Sequence, residues 1–563
     1  MARLGWEELD VLLVTGDAYV DHPSFGAALL GRWLAAHGCR VGIVAQPRWD
    51  RLDDVARLGR PRLFAGVTAG ALDSMLAHYT AFRKKRRDDA YTPGGRSGAR
   101  PNRATIVYAN LVRQAFPGLP VVIGGIEASM RRATHYDFWS DKLRRSILLD
   151  SKADLLIYGM AERALLALAE GLKQSTLEEL FPQLRGAAFT LSHRSQSSHM
   201  SHMPCLALPS HEEIESEPRK LMEATLLLER QAHSDAEWAT QQAGGQTVVF
   251  APPAAPLTTE ELDALYALPF TRQPHPSYRQ AIPAVEMVQF SITTHRGCAG
   301  GCSFCALALH QGRRIRSRSA KSVLDEAAGL TRHPDWRGAI SDVGGATANL
   351  WGARCGRDAA GCRRPSCLHP SICRHFAPNQ AALAELLRDI ARLPGVRHVR
   401  TASGVRHDVA VLDESYVRAL VGEFTGGQLK LAPEHSCERV LWLMRKPPFK
   451  AFEEFLTVFQ RLSRQAGKEQ YVVPYLMSAF PGCTEADMRS LAAWLRRRGW
   501  RPQQVQCFIP TPGTVATAMY HAGIAPDGTP IHVARKDAER LRQHRILVPD
   551  GRGLERKARR RNP

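Results

Sequence analysis

Short apolar runs separated by segments of helical period organise the first third of the chain. Residues 10–16, 40–45, 62–67, 119–124 and 153–158 read as strands, with a helix near 25–37 between the first two. Short strands that are apolar on both faces belong in a parallel sheet covered by helices on each side. The pattern predicts a doubly wound α/β domain of about five strands over residues 1–194, with its binding edge at the carboxyl ends of the strands. At those ends stand Gly16, Asp17, Tyr19, Asp21 and His22, then Thr68 and Gly70, then Gly124, Gly125 and Glu127, and finally Gly159 and Glu162. Such glycines serve either a ligand's approach or a plain strand-to-helix turn. No Gly-x-Gly-x-x-Gly follows the first strand, which argues against a dinucleotide site.

Between residues 195 and 283 the periodicity weakens into Ser/His-rich and Pro-rich pieces with acidic helical stretches, and a linker with local helices is expected. Alternation restarts at Val285. Strand-like runs at 288–294, 338–345, 398–404, 428–433, 471–479 and 505–509 alternate with helical patterns at 319–331, 381–393, 412–424 and 485–498. Six repeats predict a partial (β/α)6 TIM-like barrel over residues 284–525, interrupted by a Cys-rich insertion at 351–377. Chemistry is expected at the carboxyl ends of its strands. From residue 526 to 563 a polar, basic tail is expected, its last dozen residues disordered.

Composition refines this picture in three ways. With 563 residues and 44% hydrophobic content the chain can bury more than one core. No apolar run approaches the roughly 20 residues of a membrane span, and the first residues lack a secretory layout, so a cytoplasmic protein with no membrane partner is expected. Of the 12 cysteines, those from Cys298 to Cys373 are clustered, which suggests metal ligation in a reducing compartment. Cys39, Cys205, Cys437, Cys483 and Cys507 read as ordinary thiols. The net charge of +20 is concentrated in blocks at 83–87, 313–318, 496–498 and 556–561. Blocks of this kind suit either a polyanion such as RNA or the solvated faces of Arg-rich helices; no RNA-recognition module accompanies them.

Cys298, Cys302 and Cys305 follow the first barrel strand. Three thiolates on one tight loop can grip three irons of a cubane cluster and leave the fourth iron open to a small ligand. Zinc completed by His295 or a distant cysteine is the competing account, although the x3 then x2 spacing is poor for it. The Cys-x3-Cys-x2-Cys loop resembles the signature of the radical S-adenosylmethionine (SAM) superfamily. The resemblance implies a 4Fe-4S cluster that, once reduced, cleaves SAM to a 5′-deoxyadenosyl radical, fed by an electron donor such as flavodoxin or ferredoxin. Phe304 matches the aromatic residue that packs near adenine in that superfamily. Gly344 and Gly345 end the second strand where the superfamily has Gly-Gly-Glu, with Ala346 here in place of the Glu. Ser403 and Arg406 end the third and resemble the polar pair that meets the ribose and carboxylate. Phe480-Pro-Gly-Cys483-Thr484 resembles a methylthiotransferase-type turn with Cys483 in place of Glu, which keeps RNA modification open as a substrate reading. A non-catalytic iron–sulfur sensor is the rival from another class.

The whole chain resembles the YgiQ family of that superfamily in the stretches Gly16-Asp-Ala-Tyr-Val-Asp-His-Pro-Ser-Phe-Gly26, Asp89-Ala-Tyr-Thr-Pro-Gly94, Ile123-Gly-Gly-Ile-Glu-Ala-Ser129, Leu429-Lys-Leu-Ala-Pro-Glu-His435 and Thr511-Pro-Gly-Thr514. Lys430, Glu434 and His435 end the fourth strand and are candidates to face substrate or to form a structural ion pair. Related proteins bind cobalamin in their N-terminal domains, but the Asp-x-His-x-x-Gly signature is missing around His22, so no cobalamin is expected. Cys355, Cys362, Cys367 and Cys373 form a second group on the insertion; their spacing is irregular for zinc, and the readings are an auxiliary iron–sulfur cluster, zinc, or unligated thiols.

Overall fold

A computed structural model describes residues 4–191, 204–357, 362–502 and 504–549. It divides into two compact units, one of residues 1–289 with 309–312 and the other of 290–308 with 313–563.

The first unit is built on a nine-stranded sheet. Its strands are β1 (Val11–Thr15), β2 (Val41–Ala45), β3 (Phe64–Thr68), β4 (Val121–Gly124), β5 (Leu155–Ile157), β6 (Ala187–Leu191), β7 (Cys205–Ala207), β8 (Trp238–Ala243) and β9 (Gln246–Phe250). They lie in the order β2-β1-β3-β4-β5-β6-β9-β8-β7. The first five in space are parallel. β5, β6, β9 and β8 are then antiparallel each to the next, and the edge strand β7 runs parallel to β8. β1, β3 and β4 are buried almost throughout, as a sheet covered on both faces requires.

Here the structure differs from the expected linker. Residues 205–250 complete the sheet, and helix Arg219–Gln231 packs in the same unit. The pattern was hidden because β8 carries Gln241 at a buried position. Its amide accepts from the Thr134 N–H at 2.8 Å and donates to the Pro209 carbonyl at 2.9 Å. A buried polar residue with both ends satisfied costs little but breaks the apolar alternation. Residues 192–203 lie outside the described set.

Asp10, just before β1, pins β2 to the sheet. It accepts from the Arg40 N–H at 2.8 Å and from its guanidinium at 2.9 and 3.1 Å. The Arg40 hydrogen bonds, with Arg62 nearby, lower its pKa to about 2. A depressed carboxylate contributes stability above its unfolded pKa, and that stability is lost as pH falls through about 4 towards 2. Asp10→Asn should therefore lower stability at neutral pH by about 1–2 kcal/mol, discounted for the partly exposed Arg40. The deficit should vanish near pH 2 in urea titrations; an unchanged deficit there would contradict the assignment.

The second unit contains β10 (Ser291–Thr293), β11 (Ala339–Ile340), β12 (Asp342–Gly344), β13 (His398–Val399), β14 (Gln428–Glu434), β15 (Tyr471–Ser478) and β16 (Gln504–Cys507). β10 runs parallel to β12 and β11 parallel to β13. A parallel bridge from Val405 to Leu431 leads to the parallel trio β14-β15-β16. β11 and β12 form one interrupted strand, so the six expected strands stand in sequence order around a partial barrel. Helices Ala320–Leu330, Gln380–Arg392, Phe449–Gln465 and Glu485–Arg497 lie between them.

The expected featureless tail is corrected in part. Asp537–Leu547 is a helix whose inner face is Arg540, Gln543 and Leu547, two of them polar and all buried. Gln543 accepts from the Ala479 N–H at 3.0 Å and donates to the Cys483 carbonyl at 3.1 Å, bracing the end of β15. Spacing of i, i+3 and i+7 is helical, but polar residues carried it, so hydrophobic periodicity missed it. Residues 550–563, with the basic block at 556–561, lie outside the described set.

Candidate active site

The cysteine loop leaves β10 through a two-residue hairpin in which His295 and Arg296 pair with Ser317 and Arg316. A Cβ on Gly300 would lie 3.5 Å from the Cys298 sulfur, 3.7 Å from the Cys302 sulfur and 3.0 Å from Arg406 Nη1. Two of the three sulfurs and a guanidinium therefore converge on a bare backbone position. Cys305 closes the loop by donating its N–H to the Cys302 carbonyl at 3.1 Å. Ser303 anchors it from beneath, its N–H on the Met444 carbonyl at 3.1 Å and its hydroxyl on the Leu443 carbonyl at 2.7 Å.

Burial, reinforced by the Cys302 charge, pushes the Cys298 thiol up. The same two causes push Cys305 up to about 12. Thiols with such values do not ionise at neutral pH unless a metal or a nearby cation stabilises the thiolate. Two buried cations offset the charge. Arg406 donates from Nη1 to the Cys302 sulfur at 3.9 Å and is held by Asp408 through hydrogen bonds of 2.9 and 2.6 Å. Asn349 clasps its backbone, accepting from the Arg406 N–H at 2.8 Å and donating to its carbonyl at 3.0 Å. Lys446, also buried, acts electrostatically on Cys298 and Cys305 and pairs with Glu434 at 3.8 Å.

Gly344 and Gly345 end β12 beside β10. A Cβ on Gly345 would come within 2.6 Å of the His295 carbonyl oxygen and 2.8 Å of its ring. Gly345→Ala should accordingly displace His295 and cost about 1–3 kcal/mol, readable as a lowered melting temperature; an unshifted transition would show the pocket to be looser than this. His295 itself is buried, with Nδ1 2.9 Å from the Thr294 hydroxyl, and burial lowers its pKa to about 4.

Ser403 turns towards β12. Its hydroxyl donates to Asp342, and Asp342 also accepts the Ala402 and Ser403 N–H groups at 2.8 and 3.0 Å. Phe304 packs edge-on against Phe480, 6.1 Å between centroids, and Phe480 in turn against Phe508 at 5.3 Å. These rings join the cysteine loop to the ends of β15 and β16. Glu434, at the end of β14, has φ +67°, a strained value for a non-glycine. His435 is buried; its Nδ1 accepts the Ser436 and Cys437 N–H groups at 3.0 and 2.9 Å. Its Nε2 faces the Cys483 sulfur at 3.5 Å. Since Nδ1 accepts, the proton resides on Nε2 and points at sulfur. Lys430 is exposed and stands apart from this pair.

The family model for the radical SAM N-terminal region matches residues 1–291. A UPF0313 protein of Geobacter sulfurreducens is 51% identical over 97% of this chain and 90% of its own length. The chain belongs to the UPF0313, or YgiQ, family of radical SAM enzymes. A UPF0313 protein of Thermotoga neapolitana is 47% identical over 98% of each chain. In fold, the chain is similar to the radical SAM methyltransferase TsrM of Kitasatospora setae with cobalamin and a 4Fe-4S cluster bound. That match has a TM-score of 0.54 and 16% identity, covering 96% of this chain and 82% of TsrM.

In this UPF0313 chain the second cysteine group lies on the insertion, with the other three thiols in electrostatic reach of Cys367. Strand pairing sets Cys355 opposite Phe376. Cys373 donates its N–H to the Cys367 carbonyl at 2.8 Å. Burial pushes Cys367 up to about 11, and Cys355, Cys362 and Cys373 add to the effect. Against its own burial, the Arg364 N–H and Arg313 hold Cys362 below its ordinary value.

Sequence reading missed Asp342, Asn349, Asp408 and Lys446. Asp408 had a signal, two residues from Arg406 at the same strand end; Asn349 and Lys446 had none. Much of the basic charge serves packing. Arg83 lies over the Phe138 ring at 4.6 Å, Arg498 over Trp494 at 4.5 Å, and Arg318 is buried against Glu326. Among the described residues, no helix is long and apolar enough to cross a membrane.

Proposed function

We propose that Cys298, Cys302 and Cys305 hold a 4Fe-4S cluster whose open iron takes SAM. Such a cluster supplies one electron to the sulfonium and releases a 5′-deoxyadenosyl radical. The observation that carries the reading is the bare Gly300 backbone between two sulfurs and a buried guanidinium, at the mouth of a six-strand barrel. Arg406 and Lys446 lower the cost of placing an anionic cluster in a buried loop. Gly344 and Gly345 are the backbone positions assigned to the amino acid end of SAM, and His295 fills the space that a side chain at Gly345 would take. Ser403, set by Asp342, stands ready for its ribose, and Phe304 with Phe480 offers an apolar seat for adenine. Among the described residues no group of three His, Cys, Asp or Glu is arranged for a single metal ion. Three thiolates at x3 then x2 spacing on one loop suit separate corners of a cubane better than a paired structural zinc site, and this spacing supports iron over zinc.

Cobalamin is not part of this reading. At the ends of β1 and β3, where a sheet of this order takes ligands, the chain seats its own Arg100. Arg100, fully buried, donates to Asp89 at 2.9 Å and to the Ala69 carbonyl at 2.9 Å and pairs with Asp17 at 2.9 Å. His22 is buried against Arg272, 3.0 Å from its Nη1.

The test is anaerobic incubation of the reconstituted chain with SAM and dithionite, followed by quantitation of 5′-deoxyadenosine. Its formation is expected. An intact cluster with no cleavage would favour a sensing protein and overturn the proposal. A flavodoxin or ferredoxin is the donor class expected to replace dithionite.

A further inference from the structure

The insertion between β12 and helix Gln380–Arg392 gathers four thiols that the proposed function does not use. The antiparallel pair Arg354–Cys355 with Phe376–Ala377 closes the insertion at its base. Inside it, Arg364 ties the loop, donating to the Ser366 carbonyl at 3.1 Å and to the His369 and Ser371 carbonyls at 2.9 Å each. Ser366, fully buried, accepts the Leu368 and His369 N–H groups at 3.0 Å. Among the described residues this is a tied cage rather than a slack loop, and Cys355, Cys362, Cys367 and Cys373 are free thiols in it.

Two further observations point to a ligand. Arg313 is 7% exposed, and its Nη1 is buried with no hydrogen-bond partner, while Nη2 reaches the Cys362 carbonyl at 3.4 Å. A buried cation with one unpartnered donor beside these thiols is the charge complement of an anionic centre. The cage is also built directly onto the first cysteine loop. Cys367 donates its N–H to the Ala299 carbonyl at 2.9 Å, and the Ser366 hydroxyl donates to the Gly300 carbonyl at 2.6 Å. A Cβ on Gly301 would collide with the Pro365 carbonyl oxygen.

We propose that Cys355, Cys362, Cys367 and Cys373 hold a second iron–sulfur cluster, closed by four protein ligands and seated against the first cysteine loop. Iron is preferred to zinc on the ground of spacing. Structural zinc uses closely paired cysteines that meet at one ion. Here the cysteines are widely and unevenly spaced along the insertion. A cubane accepts ligands at separate corners and tolerates that spacing. With every iron closed, such a cluster exchanges electrons and does not bind SAM.

The test counts iron, sulfide and zinc in the full chain purified and reconstituted without oxygen. It also compares a Cys362→Ser/Cys367→Ser variant with a Cys302→Ala/Cys305→Ala variant. About eight irons are expected in the wild-type chain and about four in each variant, with circular dichroism reporting the fold. About four irons in the wild-type chain, or one retained zinc that only the Cys362/Cys367 variant loses, would overturn the proposal without relying on any variant folding. If the Cys302/Cys305 variant kept the full iron content, the first site's reading would fail while this one stood.

Discussion

Replacing Cys302 by Ala reduces 5′-deoxyadenosine formation to the level of protein without cluster, while the far-ultraviolet spectrum of the chain is unchanged. The expected loss is total rather than graded because the three cysteines act as one unit. With two sulfurs left, the loop no longer grips three corners of a cubane, and the iron that would bind SAM is not held. Stability is expected to change little. Cys302 is only half-buried, and the loop around it is fixed by Ser303 and by the Cys305 N–H rather than by its sulfur. Cys39 makes the control: it is a buried thiol of the N-terminal unit, and Cys39→Ala should cost stability through a small cavity and leave cleavage intact. The measurement is 5′-deoxyadenosine per chain under dithionite, with iron counted in parallel. Cleavage retained in Cys302→Ala would contradict the ligand assignment outright.

The strands were legible where apolar runs were short and buried, because burial on both faces leaves no other residue choice. β1, β3, β4 and β5 follow from that rule; β2 and barrel strands such as β14 alternate buried with more exposed positions and were legible by their period and spacing instead. β8 and the helix at Asp537–Leu547 were not legible, since Gln241, Arg540 and Gln543 hold buried positions by hydrogen bonding instead of apolarity. The site divides the same way. Cys298, Cys302 and Cys305 are adjacent in sequence, so their spacing announced them. Asn349 and Asp408 act on the same loop through Arg406, and Lys446 acts on it electrostatically from beyond β14, so only the fold brings them there. The two replacements of Glu also look different in three dimensions. Cys483 is buried and faces His435, so the turn at β15 keeps a partner for that imidazole with no carboxylate. Ala346 has no such substitute at its own position, but Asp342, earlier in the same strand, provides a carboxylate that fixes Ser403.

Arg406 is where stability and chemistry meet, and its replacement separates them. In Arg406→Met the buried Asp408 loses the guanidinium that holds its carboxyl below the usual range against its own desolvation. Leaving one member of a buried pair alone costs about 3–5 kcal/mol. Arg406→Met should therefore unfold at markedly lower denaturant. The double variant Arg406→Met/Asp408→Leu removes both charges, and much of that loss should return, because a packed apolar pair needs no desolvation. The cluster would respond differently. Arg406 Nη1 is the donor to the Cys302 sulfur, and losing a positive charge and a hydrogen bond at a ligating sulfur makes reduction harder. A shift to more negative potential, on the order of tens of millivolts, is expected in both variants, with slower SAM cleavage in each. Recovery of stability without recovery of potential would assign Arg406 to tuning the cluster. If the double variant regained the wild-type potential along with its stability, Arg406 would be a structural residue, and the buried cation would carry no weight in the proposed chemistry.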